Sequence, residues 1–585
     1  MRMSLTNAQS PFKIPELCSL IASHLTLYDF TQLCLVSKSF SRLFQPFLWS
    51  KIVLHGRADY RDRMLPRVNA LKRYGHLVRR AELFSWCNRD VFSECEDDED
   101  PEAILENDDL LLTETLLAQC GCNLTALKVV DYSSNGRIWG AVMERIRLNR
   151  ALEGARLLNG IRVLDITLTH IAFKSVFQPL LAQPKRYSGA AALFTGVKEL
   201  RLCGTEVIMD SAEELAWEEE VCYGSELDDV DEPPVISFQD LVTLFPSLHK
   251  LTLAHLNIDI DIDLDADGSE KGADARPSES GVATIDPPED YQFHTLNFQE
   301  SSIHAKQIGQ ILKRTHNVQS LKIGPSIFPM EDVEALLLSL PELTPCLTEY
   351  GQDGVHFSDW STVLQGLPCL TRLYISTDTL VADDALGTLA RSCPGLENLH
   401  LHYCQSLTYR GLHHILRSCK QLKSLKLPMT PVHWDIFGHD SEHCSCTAVP
   451  SSITTVPSPP SAFVPWACQD TLQDLLLTLM EDNPPECLFA ARQRLQSLSH
   501  LHGLELRGQK ISVAMLMDLE HSEGPPLTLY PALETLELGD FDPPLAIGTI
   551  TKLARSMPKL KQASHRNHLD STLHAWRLQE LPTLI

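Results

Sequence analysis

Apolar residues recur at a fixed spacing in the central part of the chain. The segments LPCLTRLYI, CPGLENLHL and CKQLKSLKL share the pattern LxxLxL, which returns every 26 residues. Its apolar positions are Leu370, Leu373 and Ile375, then Leu396, Leu399 and Leu401, then Leu422, Leu425 and Leu427. Because successive side chains of a β-strand point to opposite faces, each segment is predicted to be a short strand with one buried face.

The segments between these strands have helical periodicity. In DDALGTLARSC and YRGLHHILRSC, apolar residues follow the i, i+3, i+4 spacing that places side chains on one helical face. They are Leu386, Leu389 and Ala390 in the first segment and Leu412, Ile415 and Leu416 in the second. Each unit is therefore predicted to be a strand followed by a helix. One unit cannot bury enough surface to fold alone, so the units are expected to stack.

This repeat resembles the leucine-rich-repeat family, and its cysteine-containing subtype through Cys393, Cys404 and Cys419. Further segments match the same template, from VRRAEL at 78 and LTALKV at 124 to LETLEL at 533 and LKQASH at 560. The resemblance implies an α/β fold class: a solenoid with a curved parallel sheet on its concave face and helices outside. We expect this solenoid to span residues 70–585.

Four insertions interrupt the spacing and are expected to be mobile, namely 94–109, 205–238, 257–291 and 431–466. Between Asp210 and Glu232 there are eleven acidic and no basic residues, and the last insertion is rich in Ser, Thr and Pro. Such segments have too few apolar residues to form a core. DLDADG in the third resembles the start of a calcium loop, but its twelfth position is Asp274 instead of Glu, so we interpret it as an acidic loop.

Residues Ile14 to Trp49 form a separate apolar block near the N-terminus, after a tail, 1–13, that is expected to be flexible. Pro15 can begin a helix, and Asp29 and Ser37 can cap a second and a third. The first helix has Leu17, Leu20, Ile21 and Leu25 on one face. Three short helices cannot bury this apolar surface internally, so a partner or the adjacent solenoid must cover it.

At these residues the sequence resembles an F-box, which we place at 14–55. The matching positions are Ile14 and Pro15, then Leu25, Asp29 and Phe30, then Val36, Lys38 and Phe40, and finally Leu48 and Trp49. Ser37 and Phe40 depart from the Cys and Trp of the family pattern. The residues expected to bind an adaptor are Ile14, Pro15, Leu17, Leu25, Asp29, Phe30, Val36 and Trp49.

An F-box followed by leucine-rich repeats implies the substrate receptor of an SCF-type ubiquitin ligase. The F-box would bind a Skp-type adaptor and, through it, cullin, while the repeats would hold the client protein for ubiquitination and degradation. Two alternatives remain open. The chain could be a leucine-rich-repeat scaffold or regulator whose N-terminal helices only cap the array, or an enzyme that uses the repeats for recognition.

Composition and motifs narrow the function further. The chain has 585 residues and a formal net charge of -26, which disfavours nucleic acid and anionic membranes as partners. No apolar run is long enough to span a membrane and no signal peptide is evident, so we expect a cytoplasmic or nuclear protein. The 17 cysteines are expected to be reduced thiols without a metal site. No catalytic or cofactor motif is found, so neither an enzyme nor a bound cofactor is expected.

The residue between the last two apolar positions of LxxLxL should point away from the core, onto the concave face. This column reads Lys128, Asp165, Arg201, Thr252, Asn297, Lys322, Tyr374, His400, Lys426, Leu476, Glu505 and Glu537. Its centre is basic and aromatic in an acidic protein. We therefore expect an acidic or phosphorylated client segment to bind Lys322, Arg372, Tyr374, His400, His402 and Lys426. The alternative is that the column is only the polar face of the sheet.

Overall fold

The structure is a computed structural model of the chain, and it divides into two compact units, Met1–Phe293 and His294–Ile585. The residues that it describes are 15–56, 64–85, 101–120, 123–132, 136–151, 160–178, 180, 194–205, 233–260, 290–315, 317–324, 327–328, 330–354, 357–376, 381–404, 406–437, 465–480, 485–507, 530–539, 557, 559–566 and 573–577.

The first unit begins with three helices, and the strands of a parallel sheet follow them along the chain. The three helices are α1 (Pro15–Ser23), α2 (Leu27–Val36) and α3 (Lys38–Leu48). The main sheet pairs β1 (Lys51–Gly56), β2 (Arg80–Ser85), β3 (Ala126–Asp131), β4 (Val163–Thr169), β5 (Glu199–Thr205) and β7 (Lys250–Ala254) in that order. The short strands β6 (Val235–Ser237) and β8 (Asn257–Asp259) form a separate parallel pair.

Helical segments connect the strands of the first unit. They are Met64–Tyr74, Gly75–Leu77, Pro101–Cys120, Arg137–Ala151, His170–Ala172, Phe173–Phe177 and Phe238–Leu244. The aromatic side chains Trp139, Phe173 and Phe177 are fully buried between helices and sheet. The buried face of the sheet is therefore covered by helical segments, as the strand and helix pattern predicts.

The second unit repeats the arrangement with more strands. Its main sheet pairs β9 (Thr295–Phe298), β11 (Ser320–Ile323), β13 (Glu349–Asp353), β14 (Arg372–Ser376), β15 (Asn398–Leu401), β16 (Ser424–Val432), β17 (Asp474–Leu479), β18 (Gly503–Arg507), β19 (Thr535–Gly539) and β20 (Gln562–Arg566), all parallel. The strand β21 (Leu573–Arg577) then pairs antiparallel with β20. The strands β10 (Ile303–His304) and β12 (Ile327–Phe328) form a small parallel pair.

The helical segments of the second unit are Ala305–Lys313, Met330–Leu343, Trp360–Gln365, Asp383–Ser392, Tyr409–Ser418, Trp434–Ile436 and Pro485–Gln496. Cys393, Cys404 and Cys419 are buried free thiols at the positions that the repeat predicts. The Cys393 thiol donates to the carbonyl oxygen of Leu367, one repeat earlier, at 3.2 Å. Parallel strands with a helix after most of them, repeated at the spacing of the LxxLxL motif, form a leucine-rich-repeat solenoid.

The strand register confirms the predicted polar column within each unit. In the first unit Lys128 pairs with Asp165, Asp165 with Arg201, and Arg201 with Thr252. In the second unit the paired residues run in the order Asn297, Lys322, Gly351, Tyr374, His400, Lys426, Leu476, Glu505 and Glu537. We call the face of each main sheet that carries these residues its open face. The flanking leucines point to the opposite, buried face.

The structure differs from the predicted boundaries in several places. The sheet begins at β1, inside the segment 14–55 that was assigned to the F-box, because Leu54 is buried and β1 extends the ladder of β2. The helix Pro101–Cys120 includes residues 101–109, which were expected to be a mobile insertion. The expected insertions also overlap β6, β8, the end of β16 and the helical segment Trp434–Ile436. Their central parts, 206–232, 261–289 and 438–464, lie outside the described residues, as does the tail 1–13.

The helices that the structure describes include none that is both long enough and apolar enough to cross a membrane.

Candidate functional site

The helices α2 and α3 begin at well-defined caps. The Thr26 hydroxyl accepts a hydrogen bond from the Asp29 backbone N–H at 3.3 Å, and the Asp29 carboxylate accepts one from the Thr26 backbone N–H at 2.8 Å. Asp29 is therefore the third residue of a capping box, and Thr26 is the cap that had been expected at Asp29. The Thr26 hydroxyl also donates to the Asp29 carboxylate at 2.7 Å, and this bond, together with that from the Thr26 backbone N–H, lowers the pKa of Asp29. Ser37 caps α3, as expected, by accepting from the Phe40 N–H at 3.1 Å.

A small aromatic core joins these three helices. Ala22, Phe30 and Phe44 are buried, and the rings of Phe30 and Phe47 stack with centroids 6.1 Å apart. Leu25 packs against this cluster and is half-buried. The cluster holds the helices together, but it uses only part of their apolar surface.

Four large apolar side chains of α1 and α2 remain exposed. They are Leu20, Tyr28, Leu35 and Val36, with exposed fractions of 59%, 70%, 74% and 67%. We call these four residues the apolar surface. Tyr28 and Leu35 are seven residues apart, so they lie on one face of α2. Apolar side chains that are exposed near one another are a candidate interaction site.

The predicted adaptor-binding residues have different environments. Phe30 and Leu25 belong to the aromatic core, Asp29 completes the capping box of α2, and Val36 belongs to the apolar surface. Trp49 stacks on Tyr74 with ring centroids 4.9 Å apart. The backbone of Pro15 and Leu17 lies in α1, and Ile14 is outside the described residues. Their role in adaptor binding stays a prediction, and the sequence pattern missed the exposure of Tyr28 and Leu35.

The open face of the second unit brings the predicted client-binding residues onto neighbouring strands. Lys322, Tyr374, His400 and Lys426 follow one another across the sheet, with Gly351 between Lys322 and Tyr374. At about 4.8 Å between strands, Lys322 and Lys426 are about 19 Å apart. A segment of several residues could therefore contact the whole row, although its role in client binding stays a prediction.

Aromatic rings form the centre of this row. Tyr374 and His400 meet edge to face with ring centroids 4.6 Å apart, and His402 meets Tyr403 in the same way at 4.4 Å. His400 Nε2 and His402 Nδ1 are buried and have no hydrogen-bond partner among the described residues.

The two imidazoles do not add positive charge at neutral pH. Burial, with the nearby Lys426 and His402, lowers the pKa of His400 to about 4. Burial also lowers the pKa of His402, although Asp353 opposes the shift. The predicted basic character of the row is therefore provided by Lys322, Arg372 and Lys426.

An acidic residue that the sequence column did not include lies beside two of these cations. Glu349 is at the start of β13, and its carboxylate is 2.9 Å from Lys322 Nζ and 3.7 Å from Arg372 Nη1. It was missed because it precedes the LxL core of a degenerate repeat, EYGQD, instead of occupying the column position. Lys426 forms no ion pair with the described residues, so it is the most available cation of the row.

The open face of the first unit is different because its charges pair with one another. Glu82, Lys128, Asp165 and Arg201 alternate in sign on successive strands. Lys51 Nζ is 2.7 Å from the Glu82 carboxylate, and Lys128 Nζ is 4.0 Å from that of Asp165. Burial raises the pKa of Asp165, while Arg201 and Lys128 oppose the shift. Most charged side chains of this face therefore have an opposite charge on a neighbouring strand.

No protein-family model matches the chain. Among solved structures, it is similar to a yeast complex of Rad7 and Elc1, with 13% identity, a TM-score of 0.33, and coverage of 66% of this chain and 82% of the other. It is also similar to an internalin from Listeria monocytogenes, with 11% identity, a TM-score of 0.28, and coverage of 89% and 98%. A third similar structure is a leucine-rich-repeat protein of Leptospira interrogans, with 15% identity, a TM-score of 0.28, and coverage of 70% and 91%. The TM-scores are all below 0.5, so the fold assignment rests on the strand register and the repeat spacing.

Proposed function

We propose that the chain is the substrate-recognition subunit of an SCF-type E3 ubiquitin ligase. In this proposal α1, α2 and α3 bind a Skp-type adaptor, through which cullin is recruited, and the open face of the second unit binds the client. The chain acts in the cytoplasm or nucleus and catalyses no reaction itself. It works by raising the local concentration of client lysines near the conjugating enzyme.

The apolar surface is the observation that carries the adaptor part of the proposal. Its four side chains are 59% to 74% exposed on α1 and α2. Burying one such side chain in an interface contributes roughly 1.5 to 3 kcal/mol. Four of them therefore offset a substantial part of the free-energy cost of association. The segment that contains them, Ile14 to Trp49, is also the one whose sequence resembles an F-box.

The client part of the proposal is supported by the row on the open face of the second unit. Lys426 is exposed and forms no ion pair with the described residues. The Tyr374 ring meets that of His400 on the neighbouring strand and adds an aromatic surface to the row. A client segment with an anionic residue should bind here better than a neutral one, because it can pair with Lys426.

Affinity purification of the full chain from cells tests the adaptor part. We expect a Skp-type adaptor and cullin to co-purify with the native chain and to be lost from a Tyr28→Asp, Leu35→Glu variant. The matched control is Leu338→Glu, which changes a 42% exposed leucine on the repeat helix Met330–Leu343. This control should retain both partners, because it leaves the apolar surface intact.

Two results would contradict the proposal. If the native chain captured no Skp-type adaptor, the chain would be better explained as a repeat scaffold whose N-terminal helices cap the array. If the double variant and the control retained the adaptor equally, binding would not use the apolar surface.

A further inference from the structure

A notch opens on the open face of the second unit, between Lys322 of β11 and Tyr374 of β14. The strand between them, β13, has Gly351 at the column position, where neighbouring strands have side chains. The notch has a volume of about 260 Å³ and is lined by Gln299, Lys322, Ile323, Gly351, Gln352 and Tyr374. A Cβ atom at Gly351 would lie 3.0 Å from Lys322 Cγ, so even a methyl group would reduce this space.

The floor of the notch is fixed by a hydrogen bond beneath it. Tyr350 and Gln352 are fully buried in the positions where other repeats have aliphatic residues. The Tyr350 hydroxyl donates to Gln352 Oε1 at 2.6 Å, which keeps a polar pair satisfied inside the core. Gly351 therefore lies in a well-packed strand, and the notch is not a packing defect of this repeat.

Lys322 lines the notch, Arg372 lies two residues before Tyr374 on β14, and one carboxylate pairs with both cations. Lys322 and Arg372 each form an ion pair with Glu349, at 2.9 Å and 3.7 Å. The side chains are 37%, 57% and 25% exposed for Lys322, Arg372 and Glu349, respectively. Ion pairs at such exposure are weak and exchange partners readily. The three groups together have a formal charge of +1, so an incoming anion is attracted.

These groups attract a dianion more strongly than a monoanion. The Coulomb energy is proportional to the charge of the ligand, so a phosphoryl group with a charge near -2 gains about twice as much as a carboxylate. A phosphoryl group also offers three acceptor oxygens, enough for a guanidinium and an ammonium together. The carboxylate of a client Glu would only take the place that Glu349 already occupies.

We infer that the Gly351 notch is the subsite for a phosphorylated side chain of the client, and that Glu349 sets the affinity of this subsite by competing for Lys322 and Arg372. The inference rests on the proposed function, in which the open face of the second unit holds the client. It has a distinctive consequence. Removing the Glu349 charge should strengthen binding, whereas most substitutions at a binding site weaken it.

Binding of short peptides to the purified full chain tests the inference. The probes are acetylated peptides Gly-Gly-X-Gly-Gly in which X is phosphoserine, glutamate or serine, and affinity is measured by titration calorimetry. We expect the phosphoserine peptide to bind at least about tenfold more tightly than the serine peptide, with the glutamate peptide between them. Glu349→Gln should strengthen phosphoserine binding about tenfold and glutamate binding by a smaller factor.

Three further variants separate charge from shape. Arg372→Gln should weaken phosphoserine binding about tenfold, because it removes one of the two cations. Gly351→Val should weaken it by filling the notch without changing any charge. The matched control is Glu397→Gln, because Glu397 is 27% exposed and pairs with Lys423 at 2.8 Å, away from the notch. This control should leave all three affinities unchanged.

The inference would be overturned if the phosphoserine peptide bound no more tightly than the serine peptide, or if Glu349→Gln and Glu397→Gln had the same effect. The adaptor test uses different residues, so the two failures can be told apart. A chain that captures the adaptor but ignores phosphoserine contradicts only the inference. A chain that binds phosphoserine as expected but captures no adaptor contradicts only the proposed ligase function.

Discussion

The helix α2 and the repeat helix Tyr409–Ser418 each have ten residues, but their large apolar side chains differ in exposure. In the repeat helix Leu412, Ile415 and Leu416 are completely buried. In α2, Tyr28 and Leu35 are at least 70% exposed. The repeat helix lies in an array whose neighbouring repeats supply apolar surface on both sides. Among the described residues, the three N-terminal helices share a small aromatic core of Ala22, Phe30 and Phe44.

This difference indicates that the same kind of side chain has two roles in the chain. In the repeats, apolar residues stabilise the fold and leave the open face free for polar recognition. In α1 and α2, the exposed apolar residues contribute little to the fold and are available to a partner. Substitutions in the two regions should therefore separate stability from binding.

The largest effect on stability is expected from a core leucine of the repeats. Leu416→Ala should lower the free energy of unfolding by about 2 to 5 kcal/mol, because it removes a fully buried side chain and leaves a cavity. Leu35→Ala should change it by no more than about 0.5 kcal/mol, because Leu35 is 74% exposed. Urea titration measures both values. An equal loss in both variants would show that Leu35 is a core residue and would remove the distinction between the regions.

A smaller effect is expected where two repeats meet. The Asp383 carboxylate accepts hydrogen bonds from the Thr408 backbone N–H, at 2.9 Å, and from the Thr408 hydroxyl. A Cβ atom at Gly411 would lie 2.5 Å from Asp383 Oδ1 and 2.9 Å from its Cα. Gly411→Ala should therefore destabilise the chain by about 1 to 3 kcal/mol.

Gly387→Ala is the matched control for this substitution, because Gly387 lies in the preceding repeat helix and its Cβ would have no contact closer than 3.6 Å. The higher helix propensity of alanine should stabilise this variant by up to about 1 kcal/mol. Thermal unfolding compares the two variants directly. If both substitutions changed stability in the same direction, the close approach of the two repeats at Gly411 would be wrong.

The pH dependence of stability should report the buried imidazole of His400. Its pKa is lowered to about 4 by burial and by Lys426 and His402, whereas an unfolded His titrates near 6.5. Between these values the unfolded chain binds a proton that the folded chain does not, so stability falls as the pH decreases from 6.5 to 4. Because the His400 ring is only partly buried, we expect the free energy of unfolding to fall by only about 1 kcal/mol over this pH range.

His400→Gln provides the comparison for this pH effect. Its unfolding free energy should depend less steeply on pH between 6.5 and 4 than that of the native chain, and the two curves should run parallel above pH 7. Urea titrations at pH 7 and pH 5 are sufficient to measure this. Equal slopes in both chains would mean that His400 titrates normally.

The smallest expected effect concerns thiol reactivity in the repeats. Burial raises the pKa of Cys393 to about 11 and those of Cys419 and Cys468 to about 12, while Cys346 and Cys369 are exposed. In the folded chain at pH 8, iodoacetamide should modify the two exposed cysteines and leave the other three unmodified. Mass spectrometry of the peptides identifies the modified residues. Rapid modification of Cys419 without denaturant would contradict close packing of the repeats.

The repeat architecture could be predicted from sequence because its signal is periodic. The spacing of Leu373, Leu399 and Leu425 predicted neighbouring strands, and these residues are paired in register. The strands β1 and β21 were not predicted. The segment KIVLHG contains only part of the LxxLxL triplet, and β21 pairs antiparallel beyond the last recognised repeat. The pairing of these end strands depends on the exposed edge of a neighbouring strand, β2 for β1 and β20 for β21. Local sequence does not encode that edge.

The candidate sites were less predictable because they depend on side-chain environment. The column placed His400 and Lys322 on one face, but it could not show that burial keeps His400 neutral or that Glu349 pairs with Lys322. Helical periodicity grouped Leu20 with Leu17, Ile21 and Leu25, yet Leu20 is 59% exposed and Ala22 belongs to the core. In a bundle of three short helices, the choice of buried face depends on packing between helices more than on periodicity.

Titration of the purified chain with a purified Skp-type adaptor tests the central claim most directly. The account predicts that the native chain binds with a Kd below about 1 μM, within the range of specific protein complexes. It also predicts that Leu35→Glu weakens binding at least about a hundredfold while the free energy of unfolding stays unchanged. Absence of binding by the native chain, or equal affinity in the Leu35→Glu variant, would contradict the account.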